Sequence, residues 1–254
     1  MKQHHKKVLL IGSSGYVGSY LRQFLEQKTT ISLSTCDLLP PANNVSAPDY
    51  LSSHTQIPGG DLKEFDVILF FAGCSSVGAA IDQPSRAVDQ NLVELIGLRE
   101  RLNPEQWLIY ASSGSVYSSP KSEGESSQVD FSSETSALSI PLNIYDATKQ
   151  AADNILVQSA LGRSTGLRLG TVSGFSPSMR KELVFNSMVI DGAAGRPIRL
   201  ANPNAWRSIL FLEDLALCIE GLMVTQEPSP QLLNVASHTL TFGNLAQVVA
   251  GYFG

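Results

Sequence analysis

The sequence predicts an α/β fold with a doubly wound parallel sheet and a small C-terminal lobe. Short, mostly apolar runs such as 8–11 and 66–73 are typical of strands that are buried on both faces of a parallel sheet. Segments with helical periodicity lie between these runs. The alternation breaks down after residue 174. We therefore expect a main domain over residues 1–174 and a lobe over 175–254, with strands from about 205–237 returning to the main domain.

The composition restricts the class of protein. A chain of 254 residues with 43% hydrophobic content can bury a sizeable core. Its net charge of −5 argues against a broad nucleic-acid or anionic-membrane surface. No apolar stretch approaches the ~18 residues that a membrane-spanning helix needs. We expect no nucleic-acid partner and no membrane association.

Cysteine and histidine content indicate a chain without metal or disulfides. Its three cysteines, Cys36, Cys74 and Cys218, are widely separated and fit neither a disulfide framework nor a zinc site. The four histidines do not form a metal-binding pattern either. Free thiols suit a reducing compartment, so the sequence predicts a cytoplasmic location and no bound metal.

A glycine-rich turn follows the first strand. Gly12, Gly15 and Gly18 separate the apolar run at 8–11 from a helix predicted to begin near Gly15. A strand that passes through such a turn into a helix directs free backbone N–H groups and a positive dipole end at one point. That point suits a pyrophosphate, provided that no Cβ holds the phosphates away. The glycines alone also fit a tight strand–helix turn that binds nothing.

The second predicted strand, 31–37, ends in an acidic residue. Asp37 lies about twenty residues beyond the glycine turn, where a carboxylate accepts hydrogen bonds from ribose hydroxyls and repels a 2′-phosphate. No Arg or Lys follows Asp37 closely. These features predict a Rossmann-type domain that binds NAD rather than NADP. The alternative is an aspartate that only begins a turn.

The remaining elements follow in order. The sequence predicts a third strand closing near 48–51, a turn at 58–61, a strand at 66–73, a helix at 84–101, a strand at 107–111, a loop at 118–142, a helix at 145–160, a sixth strand at 165–174, a strand and helix at 209–216, a last strand at 232–235 and a final helix that reaches Phe253. Asn91 lies in the middle of the helix at 84–101, where a polar residue is usually exposed and inert. The serine-rich loop is either a cover over a site or an insertion without function.

A tyrosine and a lysine open the helix after this loop. Tyr145 and Lys149 are four residues apart and share one helix face. A nearby ammonium and a nicotinamide cation would lower the pKa of a tyrosine, which is about 10 in water. A general acid–base working near neutral pH needs such tuning. The same spacing also occurs in surface pairs, so the prediction depends on the position of the two residues after a serine-bearing strand end.

Positive charge concentrates in the C-terminal lobe. The cationic residues there are Arg180, Lys181, Arg196, Arg199 and Arg207. A lobe of this kind could grip a substrate diphosphate through arginine side chains. For any single residue, an ordinary surface arginine is the alternative.

The whole set resembles the extended short-chain dehydrogenase/reductases, and within them the NAD-dependent sugar-nucleotide epimerase/dehydratase branch. The resemblance covers nearly the whole chain. Its matching residues are Gly12, Gly15, Gly18, Asp37, Phe71–Gly73, Ser113, Val116–Tyr117, Tyr145, Lys149, Arg168–Gly174, Arg207, Phe211 and Asp214–Ala216.

The resemblance implies a mechanism and a set of site residues. Tyr145 would take a proton from a sugar hydroxyl, Ser113 would hydrogen-bond the same oxygen, and Lys149 would hold the nicotinamide ribose. Besides Tyr145 and Lys149, the expected cofactor-binding residues are Gly12, Ser14, Gly15, Tyr16, Val17, Gly18, Asp37, Asp49, Tyr50, Phe71, Ala72, Gly73, Asn91 and Ala111. The expected substrate-binding residues are Ser75, Ser115, Thr171, Asn186 and Arg207. A nucleotide sugar is the implied substrate, and a homodimer packed through the helices at 84–101 and 145–160 is the implied assembly.

Two departures from the family pattern narrow the activity. Dehydratases of this family carry an acidic pair after the strand-end serine, whereas this chain has Gly114 and Ser115, so a 4,6-dehydratase is disfavoured. The segment 71–78 is similar to UDP-galactose 4-epimerases, with Ser75 in place of their lysine. An NAD-dependent epimerase is the first hypothesis. An NAD(P)H-dependent 4-ketoreductase and a non-catalytic cofactor-binding regulator or scaffold remain open.

Overall fold

The computed structural model describes residues 5–41, 45–118, 132–159, 161–224 and 231–253. Most of the serine-rich loop predicted at 118–142 lies outside these residues. No helix in the described part of the chain is long and apolar enough to cross a membrane.

Strands and helices alternate along the first two thirds of the chain. The described strands are β1 (Lys6–Ile11), β2 (Ile31–Asp37), β3 (Tyr50–Leu51), β4 (Val67–Phe70), β5 (Trp107–Ser113), β6 (Ser164–Leu169), β7 (Thr171–Ser173), β8 (Trp206–Phe211), β9 (Leu232–Val235) and β10 (His238–Thr241). The α-helices are α1 (Tyr16–Glu26), α2 (Gly59–Leu62), α3 (Val77–Asp82), α4 (Pro84–Val88), α5 (Glu94–Arg101), α6 (Ile144–Gln158), α7 (Val184–Ala193), α8 (Leu212–Val224) and α9 (Phe242–Phe253).

The main sheet is parallel and doubly wound, as the sequence predicts. Its described strands follow the order β3-β2-β1-β4-β5-β6-β9. Strands β2 and β3 are added on one side of β1, and β4 is added on its other side. The strand order therefore changes direction between β1 and β4, and folds of this class bind ligands at that point. A second, smaller sheet has the order β10-β8-β7. Of the two strands between residues 205 and 237, β9 joins the large sheet and β8 the small one.

Successive residues of β1 point to opposite faces of the large sheet and into two different cores. Leu10 packs on one face with Leu21 and Leu215, so α1 and α8 cover that face. Leu9 packs on the other face with Leu98 of α5 and a cluster that includes α6. Burial on both faces explains why this strand is apolar throughout. The lobe has its own small core around Met188 of α7 and Val249 of α9.

The sequence predicts one continuous sixth strand at 165–174, and this prediction is wrong because the structure has two strands there. Gly170 separates β6, which lies in the large sheet, from β7, which lies in the small sheet. A Cβ on Gly170 would lie 3.0 Å from the carbonyl oxygen of Ser208, so a glycine lets the backbone pass close to β8. Strand β10 was not predicted, because the prediction ended the strands at Val235.

The helix predicted at 84–101 is interrupted. Helices α4 and α5 are joined by a π-helical turn, Asp89–Val93, which turns Asn91 inward. The turn predicted at 58–61 forms the single-turn helix α2. The sequence analysis also missed α3 and α7.

Helix α6 is tied to the sheet by a buried ion pair. Arg168 of β6 donates from Nε to Oδ2 of Asp153 at 2.8 Å, and the two side chains are 2% and 0% exposed. Tyr110 of β5 donates to Oδ1 of Asp153 at 3.1 Å. Asp153 therefore connects one helix with two strands.

We expect Asp153→Ala to destabilise the protein strongly. The variant leaves the Arg168 guanidinium buried without its counter-charge. Removing one partner of a buried ion pair costs about 3–5 kcal/mol. The measurement is the free energy of unfolding in urea. Glu64→Ala, which breaks the exposed pair with Lys7, is the control and should cause no measurable loss. Equal losses in the two variants would contradict the importance of the buried pair.

Candidate active site

The glycine turn is packed too tightly for a side chain at two of its glycines, Gly12 and Gly18. Gly12 has φ +90°, and a Cβ there would lie 2.6 Å from the backbone of Phe71 and Ala72. A Cβ on Gly18 would lie 1.9 Å from the carbonyl oxygen of Gly12. Gly15 precedes α1, and no side chain caps that helix end. The cradle thus leaves the N-terminus of α1 open at the switch point and fits a dinucleotide pyrophosphate.

The carboxylate of Asp37 lies against this cradle. Oδ2 accepts a hydrogen bond from the backbone N–H of Ser14 at 2.8 Å, and Oδ1 accepts one from Leu39 at 3.0 Å. A carboxylate has room for about four hydrogen bonds, so two ribose hydroxyls can still be accommodated. The position of Asp37 fits the ribose of NAD and opposes a 2′-phosphate.

Two residues expected near the adenine lie at the neighbouring strand ends. Asp49 accepts hydrogen bonds at Oδ2 from the N–H of Thr35 at 2.8 Å and from its hydroxyl at 2.9 Å. Tyr50 is half-buried and packs against the core cluster that contains Cys36. Asp49 thereby fixes the start of β3 against β2, and its contact with a cofactor stays a prediction.

Tyr16 and Val17 begin α1 and face the protein. The hydroxyl of Tyr16 donates to the carbonyl oxygen of Gly174 at 2.7 Å. Val17 is partly buried against the core. Their contact with a cofactor, through the backbone N–H groups at the start of α1, stays a prediction.

Asn91 is buried, not exposed. It is 1% exposed, and its Nδ2 donates to the hydroxyl of Thr148 at 3.1 Å. The Thr148 hydroxyl in turn donates to the carbonyl oxygen of Tyr145 at 2.8 Å. Asn91 Oδ1 has no partner among the described residues, and a Cβ on Gly73 would lie 2.5 Å from it. Asn91 thus connects the β4 exit with the first turn of α6.

Ser113, Tyr145 and Lys149 come together at the end of β5. The ammonium Nζ of Lys149 donates to the carbonyl oxygen of Ala111 at 2.8 Å and lies 5.8 Å from the centroid of the Tyr145 ring. Ser113 lies near enough to Tyr145 to lower the pKa of its phenol, against the larger effect of burial. The structure therefore gathers the three residues that the sequence predicts as catalytic.

Burial moves both titratable groups toward their neutral forms. Burial lowers the pKa of Lys149 from 10.5 to about 8, against the opposing charge of Asp153. Burial also raises the pKa of Tyr145, although Ser113 and the charge of Arg180 oppose it. In the chain without cofactor the cost of burying a phenolate is the larger effect, and the lowering of the Tyr145 pKa expected from an ammonium together with a nicotinamide cation stays a prediction.

An acidic residue that the sequence analysis missed lies beside Tyr145. Asp146 is 3% exposed and accepts a hydrogen bond from the Ser115 hydroxyl, which lies 2.9 Å from the Ser113 hydroxyl. Ser115, predicted to bind substrate, thus joins Ser113 to a buried carboxylate. Asp146 could not be recognised from the sequence because acids are common in the first turn of any helix.

The other predicted substrate residues have different surroundings. Asn186 is buried, and its side chain bonds Ser173, Gly174, Tyr16 and the carbonyl oxygen of Arg180. Thr171 pairs with Ile209 in the small sheet. Arg207 is exposed, and its guanidinium lies 5.4 Å from the centroid of the Phe242 ring. Their contact with substrate stays a prediction.

Arg180 reaches from the lobe to the main domain. Its Nη1 donates to the carbonyl oxygen of Ser75 at 2.9 Å and approaches the Ser75 hydroxyl at 3.3 Å. Its charge also favours the ionised form of Tyr145. Arg180 therefore joins the lobe to the segment after β4, and its charge acts on Tyr145.

Comparison with known proteins identifies the family. The model of the NAD dependent epimerase/dehydratase family matches residues 8–236. UDP-glucuronate 4-epimerase 1 of Arabidopsis thaliana is 29% identical over 215 residues, which are 76% of this chain and 48% of that protein. UDP-glucose 4-epimerase of Pisum sativum is 27% identical over 137 residues, which are 46% of this chain and 39% of that protein. The chain spans about half the length of the UDP-glucuronate 4-epimerases that it matches.

Solved structures share the fold. MoeE5 in complex with UDP-glucuronic acid and NAD superposes with a TM-score of 0.78 at 19% identity, covering 97% of this chain and 82% of that chain. UDP-glucose 4-epimerase of Thermus thermophilus in complex with NAD gives 0.75 at 20% identity, covering 98% and 83%. At this level of identity the comparison establishes the fold alone.

We expect Gly18→Ala to abolish NAD binding and to destabilise the fold by about 3 kcal/mol, because its Cβ overlaps the carbonyl of Gly12. Calorimetric titration with NAD and urea denaturation measure the two effects. Gly97→Ala is the matched control, since a Cβ there meets no atom within 4 Å. It should keep NAD binding and stabilise α5 by roughly 0.5–1 kcal/mol. Unchanged NAD affinity in Gly18→Ala would contradict the assignment of the cradle.

The buried amine of Lys149 should give stability a particular pH dependence. Between pH 8 and 10.5 the unfolded chain keeps a proton on this residue that the folded chain has released. The unfolded state binds more protons in that interval, so the contribution of Lys149 to stability rises with pH. The free energy of unfolding of the wild type minus that of Lys149→Met should therefore increase from pH 8 to 10.5. The exposed Lys63→Met is the control, and a flat difference for Lys149→Met would contradict the burial effect.

Proposed function

Because the chain belongs to the NAD-dependent epimerase/dehydratase family, we propose that it is an NAD-dependent 4-epimerase of a UDP-sugar. The observation that carries the proposal is the convergence of Ser113, Tyr145 and Lys149 at the end of β5, next to a glycine cradle that fits a dinucleotide. The relatives named as UDP-glucuronate and UDP-glucose 4-epimerases support the choice of nucleotide and of reaction.

The catalytic residues have separate tasks in this proposal. Ser113 and Tyr145 hold the sugar hydroxyl, and the Tyr145 oxygen takes its proton as the carbinol becomes a ketone. When bound, the nicotinamide would supply a reversible acceptor for the hydride. Lys149 would hold the adjoining ribose. Asn91 holds the first turn of α6, which carries Tyr145, through its hydrogen bond to Thr148.

The residues that follow Ser113 argue against elimination chemistry. Gly114 and Ser115 occupy the positions after the strand end, and neither can act as an acid–base pair. Asp37 argues against a reductase that draws on NADPH, since its carboxylate opposes a 2′-phosphate. An epimerase that retains NAD accounts for both features.

We also propose that the protein is a homodimer. Apolar side chains of α4, the π-helical turn and α6 are exposed, namely Val88, Val93, Ile144 and Ile155. Two copies of this face could form a bundle of helices that buries them.

The three free cysteines are the reason for proposing a reducing, cytoplasmic location.

The test is interconversion of C4 epimers. The purified chain, supplied with NAD, should convert UDP-glucose or UDP-glucuronic acid into its 4-epimer, as followed by chromatography of the nucleotide sugars. Tyr145→Phe should reduce kcat by at least about 100-fold, because it removes the acid–base hydroxyl. Tyr252→Phe, at an 83% exposed position, is the matched control and should keep full activity. Consumption of a 4-keto sugar with NADPH, without epimerisation, would replace this proposal with a reductase.

A further inference from the structure

A short segment of the chain, residues 174–178, contacts the glycine turn and has no part in the mechanism above. We call this segment the strap. The hydroxyl of Ser178 donates to the carbonyl oxygen of Ser14 at 2.7 Å. The hydroxyl of Ser176 donates to the carbonyl oxygen of Tyr16 at 2.8 Å. Two serines of the strap therefore hold two backbone carbonyl groups at the start of α1.

The beginning of the strap is anchored to the same helix. The carbonyl oxygen of Gly174 accepts a hydrogen bond from the Tyr16 hydroxyl at 2.7 Å, and its N–H donates to Oδ1 of Asn186 at 3.1 Å. Tyr16 thus holds the strap with its side chain, while Ser176 of the strap holds the backbone of Tyr16. These reciprocal bonds give the strap one position relative to the first turn of α1.

The hydrogen bond of Ser176 has only one possible direction. A carbonyl oxygen can only accept, so Ser176 gives its single proton to Tyr16. The nearby hydroxyl of Ser19 lies 3.1 Å from the Ser176 hydroxyl and 3.3 Å from the same carbonyl oxygen. Ser19 and Ser176 are each 2% exposed. Two buried hydroxyl groups therefore direct their protons toward the Tyr16 carbonyl, either directly or through each other.

The carbonyl of Tyr16 shares a peptide group with the N–H of Val17. A trans peptide is planar, so its C=O and N–H point in opposite directions. By holding the carbonyl, Ser176 fixes the direction of the Val17 N–H. Val17 is the second residue of α1, and the first N–H groups of a helix have no partner within the helix and suit an anion. A hydroxyl that donates to the carbonyl also polarises the peptide, which makes its N–H a stronger donor.

We propose that Ser176 is a positioning residue for the cofactor, whose hydroxyl directs and strengthens the N–H of Val17 as a donor to the pyrophosphate of NAD. Ser176 acts through the peptide between Tyr16 and Val17 and need not touch the cofactor. The inference rests on the proposed function and deepens it, because an epimerase must keep its cofactor between turnovers. It gives the segment after β7 a task toward NAD in addition to the expected contacts of the lobe with the nucleotide sugar.

Ser178 provides an internal comparison. Its bond to Ser14 is of the same kind as that of Ser176, differs from it in length by little, and joins the same two parts of the protein. The peptide that Ser178 holds carries the N–H of Gly15, which donates to the carbonyl oxygen of Gly12 at 3.2 Å. Because this N–H already closes the turn, Ser178 should attach the strap to the turn without improving a donor to the cofactor.

The decisive experiment compares Ser176→Ala with Ser178→Ala in fluorescence titrations of the purified chain with NADH. We expect Ser176→Ala to weaken NADH binding about tenfold, the effect of losing roughly one hydrogen bond, and Ser178→Ala to weaken it by less than about twofold. ADP-ribose, which has the same pyrophosphate and no nicotinamide, should show the same two factors in calorimetric titrations. Equal losses in the two variants would mean that the strap only attaches the lobe. Unchanged NADH affinity in Ser176→Ala would also overturn the proposal.

Two further variants separate cofactor binding from folding. Ser176→Cys fills the space of the hydroxyl with a weak donor, so it should weaken NADH binding without leaving a cavity. Ser208→Ala removes the hydroxyl that pairs with Thr239 in the small sheet, and it should lower the free energy of unfolding while NADH affinity stays unchanged. If Ser208→Ala weakened NADH binding as much as Ser176→Ala, binding would follow the stability of the lobe and the positioning role would be wrong.

The amide signal of Val17 reports on the proposed contact directly. In a proton–nitrogen correlation spectrum, the amide proton of Val17 should move downfield when NADH is added to the wild type, because it becomes a donor to a phosphate oxygen. The shift should be smaller in Ser176→Ala. A Val17 amide proton that does not respond to NADH in the wild type would contradict the proposal.

NADH binding requires no nucleotide sugar, so this test is independent of the reaction. If Ser176→Ala weakens NADH binding but the wild type epimerises no UDP-sugar, the proposed function fails and the positioning role stands. If the wild type epimerises a UDP-sugar while Ser176→Ala keeps full NADH affinity, the function stands and the positioning role fails.

Discussion

The site depends on a polar face of α6 that is buried against the sheet. Tyr145, Lys149 and Asp153 follow one another at intervals of four residues and therefore share that face. Lys149 donates to the carbonyl of Ala111 on β5, and Asp153 pairs with Arg168 on β6. Directional bonds of 2.8 Å fix the rotation and the height of the helix, which apolar contacts alone would leave free to adjust. The catalytic geometry is thus a consequence of how α6 docks.

The same burial determines the electrostatics of the site. A dry environment opposes charge on the phenol of Tyr145 and on the amine of Lys149 alike. Asp153 lies close enough to Lys149 to favour its ammonium, so the ion pair that docks the helix also limits the loss of charge at the amine. Stability and catalysis are therefore coupled through Asp153, one helical turn below the reacting groups.

Most of the large sheet and the glycine turn could be predicted from sequence, because strands buried on both faces leave apolar runs and because the glycine turn has a steric cause. The clustering of Ser113, Tyr145 and Lys149 could be predicted from their order along the chain, and their catalytic role stays a proposal. The small sheet could not. Its strands β7 and β10 span 3 and 4 residues, too few for a period to appear. The burial of Asn91 depends on a π-helical turn, and no local sequence pattern predicts such a turn. Asp146 has the composition of an ordinary helix start, and only its contact with Ser115 distinguishes it.

The lobe and the cofactor cradle behave as one unit. The buried amide of Asn186 joins α7 to the hydroxyl of Tyr16 on α1, the helix that begins at the glycine turn, and also holds Gly174. Such a satisfied buried network is rigid. Arg180 lies at the exposed edge of this unit, where its Nε pairs with the carboxylate of Glu182 at 2.7 Å and its Nη1 donates to the carbonyl oxygen of Ser75 at 2.9 Å. An arginine bonds an anion more strongly than a carbonyl, so Nη1 can exchange Ser75 for an anion while Glu182 keeps the side chain in place. The buried amide network therefore holds the lobe against the cradle, and the contact with Ser75 can change without moving the lobe.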